Sequence, residues 1–233
     1  ALDFYTTTFS NDAPVLYRND GYGNFQDVTL ASGAGASLIP HANWGLAFFD
    51  AENDGDQDLI IANGHTDPNV QKWAYNTAWK VANTLLVNDG RGHFADQSNR
   101  GGSGLLPVES SRGLVVEDLD NDGDLDVAIL NALAAPTIIR NDSAATSNHW
   151  LQVDLRGRSA PRDGTGTRVT VVTGGIRQVA EVHSGRGYQS SFGQRLSFGL
   201  GGAAHIDELI IRWPLGAEQT LKNVTPNQRL TVI

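Results

Sequence analysis

The chain has 233 residues, is 40% hydrophobic and carries a formal net charge of −9. It contains no cysteine, which excludes a disulfide framework, a thiolate metal site and a cysteine nucleophile. No apolar run approaches the roughly 20 residues of a membrane-spanning helix, so we expect no membrane insertion. No basic stripe accompanies the aromatic residues, so we do not expect nucleic acid as a partner.

Charge is distributed unevenly along the chain. Residues 1–147 hold 20 acidic and 7 basic side chains, whereas residues 148–233 hold 6 acidic and 10 basic ones. This change predicts a domain boundary within the polar run at Thr146–Asn148. Because the chain starts at Ala1 and lacks methionine, we expect a piece of a longer protein, truncated at its N-terminus. The absence of cysteine favours an exported protein that is secreted, extracellular or periplasmic.

The first predicted domain is built from repeated β-type units. Leu16–Phe25 matches Leu85–Phe94 at an offset of 69 residues, and the acidic loops that begin at Asp50 and Asp118 are 68 residues apart. An Asn-Asp-Gly turn between short apolar runs predicts a hairpin, and the apolar runs that flank each acidic loop are typical of buried strands. A degraded third copy occupies Ile138–Asp142. Several strands per unit of this length are typical of propeller blades.

Two units depart from this repeat. Asp3 aligns with Asp58, so we expect Asp3 to be the last residue of a third acidic loop and the remnant of a third site. The middle unit contains an insertion at roughly His65–Asn83. Its large aromatic residues form either a small capping core or a binding surface, and they are Trp73, Tyr75 and Trp79.

Residues 148–233 lack an acidic loop and alternate in the manner of β-strands. A turn at Gly174-Gly175 separates two of the strands. The predicted strands are Trp150–Leu155, Arg168–Thr173, Arg177–His183, Arg195–Leu200, Glu208–Trp213, Gln219–Val224 and Arg229–Ile233. So many short strands predict a small β-sandwich or a related barrel.

The two acidic loops provide the candidate metal ligands. In the second loop, carboxylates fall at positions 1, 3, 5 and 9, Gly123 at position 6 permits a sharp turn, and position 7 would donate its main-chain carbonyl. Hard oxygen ligands without cysteine or histidine favour Ca²⁺ over zinc or copper. Two carboxylates 4 Å apart repel by ~4 kcal/mol at an effective dielectric near 20, and a divalent ion relieves this repulsion. We therefore predict two calcium sites, with the ligands Asp50, Glu52, Asp54, Asp56 and Asp58 in the first and Asp118, Asp120, Asp122, Asp124 and Asp126 in the second.

The loop of an EF-hand begins with the same spacing of carboxylates. An EF-hand also needs a glutamate at position 12, where this chain has Ile61 and Ile129 inside apolar runs, so each loop is expected to end in a strand. A solvated acidic turn without metal is the remaining alternative. Because Glu52 replaces an aspartate, we expect the first site to be the weaker of the two.

The motifs resemble those of known families. The Asp-x-Asp-x-Asp-Gly-x-x-Asp pattern with its Asn-Asp-Gly turns resembles the FG-GAP/VCBS repeats of integrin-type β-propellers. The motifs Arg162–Val169, Gly185–Ser191, Phe198–Gly201 and Trp213–Gly216 resemble the ASPIC/UnbV domain. The pairing is similar to the cartilage-acidic-protein-like family of secreted and bacterial exported proteins. The resemblance implies an all-β fold with partial propeller blades in residues 1–147 and a sandwich-like ASPIC/UnbV domain in residues 148–233.

From these features we expect a binding protein and not an enzyme. No Gly-x-Ser-x-Gly elbow, His-Glu-x-x-His motif or phosphate loop is found in the sequence. We expect calcium to fix the loops structurally while one face of the scaffold binds a protein or a glycan. The candidate ligand-binding residues are Trp73, Tyr75, Trp79, Arg162, Arg186 and Tyr188.

Two alternatives remain open. The chain is a scaffold or accessory part of an enzyme whose site needs the missing N-terminal region, or it is a structural spacer. Exposed blade edges also suggest self-association through strand pairing.

Overall fold

The computed structural model describes residues 2–143 and 147–233, so the first residue of the predicted boundary, Thr146, lies outside the described residues. The fold is all-β, as predicted. In the first part, the elements are β1 (Phe4–Thr6), β2 (Val15–Asn19), β3 (Phe25–Asp27), α1 (Thr29–Ser32), a 3₁₀ turn (Ala36–Leu38), β4 (Asn43–Phe49), β5 (Asp58–Asn63), a 3₁₀ turn (Val70–Lys72), β6 (Val81–Ala82), β7 (Thr84–Asn88), β8 (Phe94–Asp96), a 3₁₀ turn (Ser103–Leu105), β9 (Val108–Glu109), β10 (Ser111–Glu117), β11 (Asp126–Asn131) and β12 (Thr137–Ile139).

The second part contains only strands among its described residues. They are β13 (His149–Leu155), β14 (Arg168–Thr173), β15 (Ile176–Glu181), β16 (Leu196–Gly201), β17 (Ile206–Arg212), β18 (Glu218–Val224) and β19 (Gln228–Val232). Each strand predicted here coincides with an observed one, with ends that differ by at most two residues. Across the described part of the chain, no helix is long and apolar enough to cross a membrane.

Three antiparallel sheets make up the first part, in the orders β1-β2-β3, β4-β5-β7-β8 and β10-β11-β12. A short pair, β6-β9, links the second and third sheets. Strands β4 and β10 approach each other closely, because a β-carbon placed at Gly45 would lie 2.7 Å from the carbonyl oxygen of Arg112 and 2.8 Å from the amide nitrogen of Leu114. Glycine is therefore needed where the sheets meet.

The middle sheet is buried on both faces. Alternate residues of β5 point to opposite sides, so that Leu59 and Ile61 join a core with the first sheet while Ile60 and Ala62 join a core with the third. All six residues of β5 are buried. The continuous apolar run after Asp58 thus reflects burial between two neighbouring sheets.

The outer sheets each keep one face exposed. On the third sheet Leu130 and Ile138 are more than half exposed, and on the first sheet Phe4 and Phe25 are exposed as well. The cores therefore lie between the sheets and not on their outer sides.

The insertion after β5 does not form a capping core, so that interpretation was wrong. Tyr75 is fully exposed, at 103%, and Trp73 is 61% exposed, with its indole nitrogen donating to Asp67 Oδ2 at 3.2 Å. Trp79 is half-buried, and Lys80 Nζ lies 5.5 Å from the centre of its ring. The buried residues of the insertion are instead His65, Val70, Thr77 and Asn83.

The second part consists of two sheets around one core. The orders are β16-β13-β19 and β15-β14-β17-β18, and apolar residues of both sheets share a single hydrophobic cluster. Because the two sheets are separate, the arrangement is the sandwich and not the barrel alternative. The first of these sheets contains a parallel pair, β13 with β19, which brings the last strand of the chain next to the first strand of this part.

Candidate metal centre

Each acidic loop joins the two antiparallel strands that begin a sheet, β4 to β5 and β10 to β11. The main chain follows the same path in both loops. Position 4 has a positive φ, 58° at Asn53 and 63° at Asn121, and position 6 has a positive φ, 100° at Gly55 and 104° at Gly123. Asparagine and glycine tolerate this left-handed region better than other residues, so the sequence folds each loop into the same tight turn.

Main-chain amides orient the first carboxylate of each loop. In the first loop, Asp50 accepts from the amides of Asp54, at 3.0 Å, and Gly55, at 2.8 Å. In the second loop, Asp118 Oδ2 accepts from the amide of Gly123 at 3.1 Å. The first carboxylate therefore faces the concave side of the turn in both loops.

The last carboxylate of each loop joins it to the following hairpin. Asp58 accepts from Ala51 and from Asn88, at 2.9 and 2.8 Å. Asp126 accepts from Leu119 and from Asn141 at the same two distances.

Asp3 has the geometry of a ninth loop position, as its alignment predicted. Its Oδ1 accepts from the amide of Asn19 at 2.8 Å, just as Asp58 Oδ1 accepts from Asn88 and Asp126 Oδ1 accepts from Asn141. The three bonds define one structural register for the three sheets.

Three carboxylates converge in each loop. They are Asp50, Glu52 and Asp58 in the first loop and Asp118, Asp120 and Asp126 in the second, and in each set one oxygen per residue lies within 4.8 Å of the others. The longer side chain of Glu52 thus reaches the place that Asp120 occupies in the second loop. Asp118 is 2% exposed, and its Oδ1 is buried without a hydrogen-bond partner among the described residues.

The side chains of the other predicted ligands have partners outside these two clusters. Asp54 and Asp122 accept from the amides two residues later, at 3.0 and 2.9 Å, and so stabilise the turn. Asp56 faces the amide of Gly90 in the next hairpin. Asp124 is buried and accepts from Asn53 Nδ2 at 2.7 Å, which joins the second loop to the first.

The first loop carries carboxylates that are costly to ionise. Burial, with a smaller contribution from neighbouring carboxylates, raises the pKa of Asp50 and that of Asp58 to about 7. Burial, together with the charges of Asp54 and Asp58, raises the pKa of Asp56 to about 6. The pKa of Glu52 is also raised, mainly by burial. A cation in this loop would replace protons and relieve the repulsion between these groups.

The C-terminal sheets pack directly on both loops. The main chain of Gly199 lies against the first loop, where a β-carbon would overlap Asp50 Oδ2 and lie 2.6 Å from the Cα of Asn53. The amide of Gly201 donates to the carbonyl oxygen of Asn53 at 2.9 Å. The ring of Trp150 covers Gly123 so closely that a β-carbon there would overlap it.

Two residues at this interface, Gln152 and Arg195, were not among the predicted site residues. Gln152 Nε2 donates to Asp118 Oδ2 at 2.6 Å, and Arg195 Nη1 donates to the carbonyl oxygen of Asp118 at 3.3 Å. Gln152 falls with Trp150 and Asp154 on one face of an alternating strand, so its position in the sequence is that of a solvent-facing residue. The sequence contains no signal for Arg195 either.

The predicted ligand-binding residues fall into separate places. Arg186 and Tyr188 line a cleft of about 1010 Å³ between strands β1 and β4 on one side and β15 and β16 on the other. The rings of Tyr188 and Trp44 lie 5.0 Å apart in this cleft, and burial lowers the pKa of Arg186. Neither the insertion aromatics Trp73, Tyr75 and Trp79 nor Arg162 is among the described residues that line the cleft.

A family model matches the C-terminal part of the chain. No curated protein matches the chain. The family model described as ASPIC and UnbV matches residues 157–233, which cover β14 to β19. The C-terminal part of the chain, residues 157–233, thus carries an ASPIC and UnbV domain, as its motifs predicted.

Proposed function

We propose that the protein is a calcium-binding, non-enzymatic recognition module of an exported protein. In this proposal the three stacked sheets are propeller blades of the FG-GAP/VCBS type, and Ca²⁺ fixes the two acidic loops on them. Three observations support the blade assignment. The main chain follows the same path in both loops, and neighbouring sheets share hydrophobic cores. The same hydrogen bond recurs at Asp3, Asp58 and Asp126.

One observation carries the calcium assignment. Asp118 Oδ1 is buried without a hydrogen-bond partner among the described residues, while oxygens of Asp118, Asp120 and Asp126 converge within 4.8 Å. An ionised carboxylate oxygen that is removed from water costs free energy unless a donor or a cation compensates it. The oxygen-only set suits Ca²⁺, which takes six to eight oxygen ligands, with water completing the shell.

The first loop supports the same assignment through its charge. Its carboxylates are close together and buried, and their raised pKa values show that the folded chain disfavours their charged forms. When bound, Ca²⁺ would supply the positive charge that makes the ionised loop stable. Asp50, Glu52 and Asp58 are the residues that would hold it.

We propose that the ligand binds in the cleft that Arg186 and Tyr188 line. It combines aromatic rings, a cationic side chain and a volume of about 1010 Å³, which is large enough for an oligosaccharide or a peptide segment. Ordered loops at its border would keep the strands around it in place. We propose a protein or a glycan as the ligand.

Calorimetry on metal-stripped protein tests the calcium proposal. We expect heat on adding Ca²⁺, two binding sites and a higher melting temperature with Ca²⁺ than with EDTA. Asp120→Asn, at an exposed position, should weaken one site without unfolding the chain, whereas the control Asp12→Asn, at an exposed position outside the loops, should change neither site. Absence of heat together with identical melting curves in EDTA and Ca²⁺ would refute the proposal.

Binding to a glycan array, with and without Ca²⁺, tests recognition. We expect binding that Arg186→Met and Tyr188→Ala abolish and that Trp73→Ala leaves unchanged. Turnover of a bound glycan would favour the enzyme-accessory alternative, and binding that Trp73→Ala abolishes would move the ligand surface to the insertion.

A further inference from the structure

We propose that the C-terminal sheet β16-β13-β19 completes the second metal loop, with Gln152 and Arg195 as positioning residues for Asp118. Calcium binding at this loop and docking of the C-terminal sheets on the first part then favour each other. The inference rests on the proposed function, because it assigns a part in calcium binding to residues outside the loops.

Gln152 holds one oxygen of Asp118 and leaves the other free. The side chain of Gln152 is 1% exposed, and its Nε2 donates to Asp118 Oδ2 at 2.6 Å. The amide of Gly123 donates to the same oxygen at 3.1 Å. Because the two oxygens of a carboxylate rotate together, fixing Oδ2 also fixes Oδ1, the buried oxygen without a partner. Outer residues of this kind orient metal ligands and raise affinity.

Arg195 contacts Asp118 directly, through its carbonyl oxygen, and also acts through Gln152. Its Nη1 donates to Gln152 Oε1 at 3.2 Å, so that the amide of Gln152 turns its Nε2 toward Asp118. Its Nε lies 3.3 Å from Glu117 Oε1, and its side chain is only 14% exposed. The guanidinium is therefore braced on the strand that leads into the loop, and it fixes the orientation of the glutamine.

The loops form part of the surface on which the C-terminal part docks, and Phe192 adds to the core between the second and third sheets. Gly201 donates to the main chain of Asn53, Gly199 packs against Asp50, and Trp150 covers Gly123. An ion that orders the loops also orders this surface, and a docked sheet holds the loops in their binding conformation. By thermodynamic linkage, each event raises the affinity of the other by the same factor.

The two loops differ in the contacts that the C-terminal sheets make with their first carboxylates. Asp118 receives a side-chain donor from the C-terminal sheets, whereas Asp50 meets the bare main chain of Gly199. Loss of Gln152 is therefore expected to affect one of the two calcium sites and not the other. This asymmetry separates a positioning role from a general loss of stability.

Calorimetric titration of the metal-stripped full chain with CaCl₂ tests the proposal. Gln152→Met keeps the length of the side chain and removes its amide, and we expect it to weaken one of two sites by roughly 10–100-fold, the effect typical of outer-shell residues. The matched control is Gln219→Met, which removes an amide that bonds Trp213 and Ile233 at a distance from the loops, and both sites should be retained.

A second variant and a second readout keep the test decisive if Gln152→Met does not fold. Arg195→Met should weaken the same site, because it releases the amide of Gln152. In addition, Ca²⁺ should change the fluorescence of Trp150, and the change should disappear in Trp150→Phe. Urea unfolding in EDTA shows whether the metal-free stability of each variant matches that of the Gln219→Met control.

The outcomes distinguish the two proposals. If the unaltered chain binds no Ca²⁺, the proposed function fails, and the inference fails with it. If the unaltered chain binds two ions and the variants at Gln152 and Arg195 bind both with unchanged affinity, the inference alone is overturned.

Discussion

Replacing Asn53 by glycine tests whether one hydrogen bond joins the two loops. Asn53 Nδ2 donates to Asp124 Oδ1 at 2.7 Å, and both residues are buried. Asn121 holds the same position in the second loop with nearly the same φ, but it is exposed, and its Oδ1 accepts from Arg195 at a long 3.4 Å. Asn121→Gly is therefore a matched control in which the main-chain consequences of glycine are the same.

The difference between the two variants measures the bond between the loops. A hydrogen bond to a charged group contributes about 1.5–3 kcal/mol, so Asn53→Gly should destabilise the chain by about 2 kcal/mol more than Asn121→Gly. In a chain of this size, that difference lowers the melting temperature by roughly 4–8 °C.

Urea and thermal unfolding in EDTA provide the assay, because the absence of metal removes any effect on calcium affinity. Equal destabilisation of the two variants, within about 0.5 kcal/mol, would show that the bond between Asn53 and Asp124 contributes nothing. Coupling between the loops would then rest on other contacts, such as Asn141, which donates to Ala51 of the first loop and to Asp126 of the second.

Three further predictions concern pH, packing and the insertion. Because burial raises the pKa of Asp50 and Asp58 from 3.8 to about 7, the folded metal-free chain keeps protons that the unfolded chain releases, so its melting temperature in EDTA should fall between pH 5 and pH 8. Saturating Ca²⁺ should remove this fall, and a flat profile in EDTA would contradict the reasoning. Gly199→Ala should destabilise the chain by at least about 1–3 kcal/mol in urea unfolding, because its β-carbon overlaps Asp50, whereas Gly202→Ala, with open space around it, should not. Tyr75→Ala should change the unfolding free energy by less than about 0.5 kcal/mol, since its side chain is fully exposed, and a loss above about 1 kcal/mol would mean that the ring packs on the fold.

The local features of this fold were predictable because short stretches of sequence determine them. Strand β5 follows from its apolar run, and the acidic turns follow from asparagine and glycine at positions that need a positive φ. The place of Asp3 followed from alignment, and its bond to Asn19 repeats the bonds of Asp58 and Asp126. Neighbouring residues determine the turns and the strand, whereas the bond of Asp3 to Asn19, 16 residues away, was found through the repeat.

Features that depend on distant residues were not predictable. The bond of Asp124 to Asn53 of the other loop joins residues 71 positions apart, so no local pattern predicted it. The parallel pairing of β13 with β19 depends on the whole topology of the second part. The support of Asp118 by Arg195 likewise becomes visible only when the two parts are in contact.

The burial of β5 on both sides has a consequence for the order in which the protein opens. Each sheet in such a row is stabilised by its neighbours, so the inner sheet shares two interfaces, whereas an end sheet shares one. Amide protons of β5 should therefore exchange with solvent only in near-global unfolding. Those of β3 and β12 should exchange through local fraying, which requires little free energy. Resistance to proteases should follow the same gradient, highest at the centre of the row and lowest at its ends.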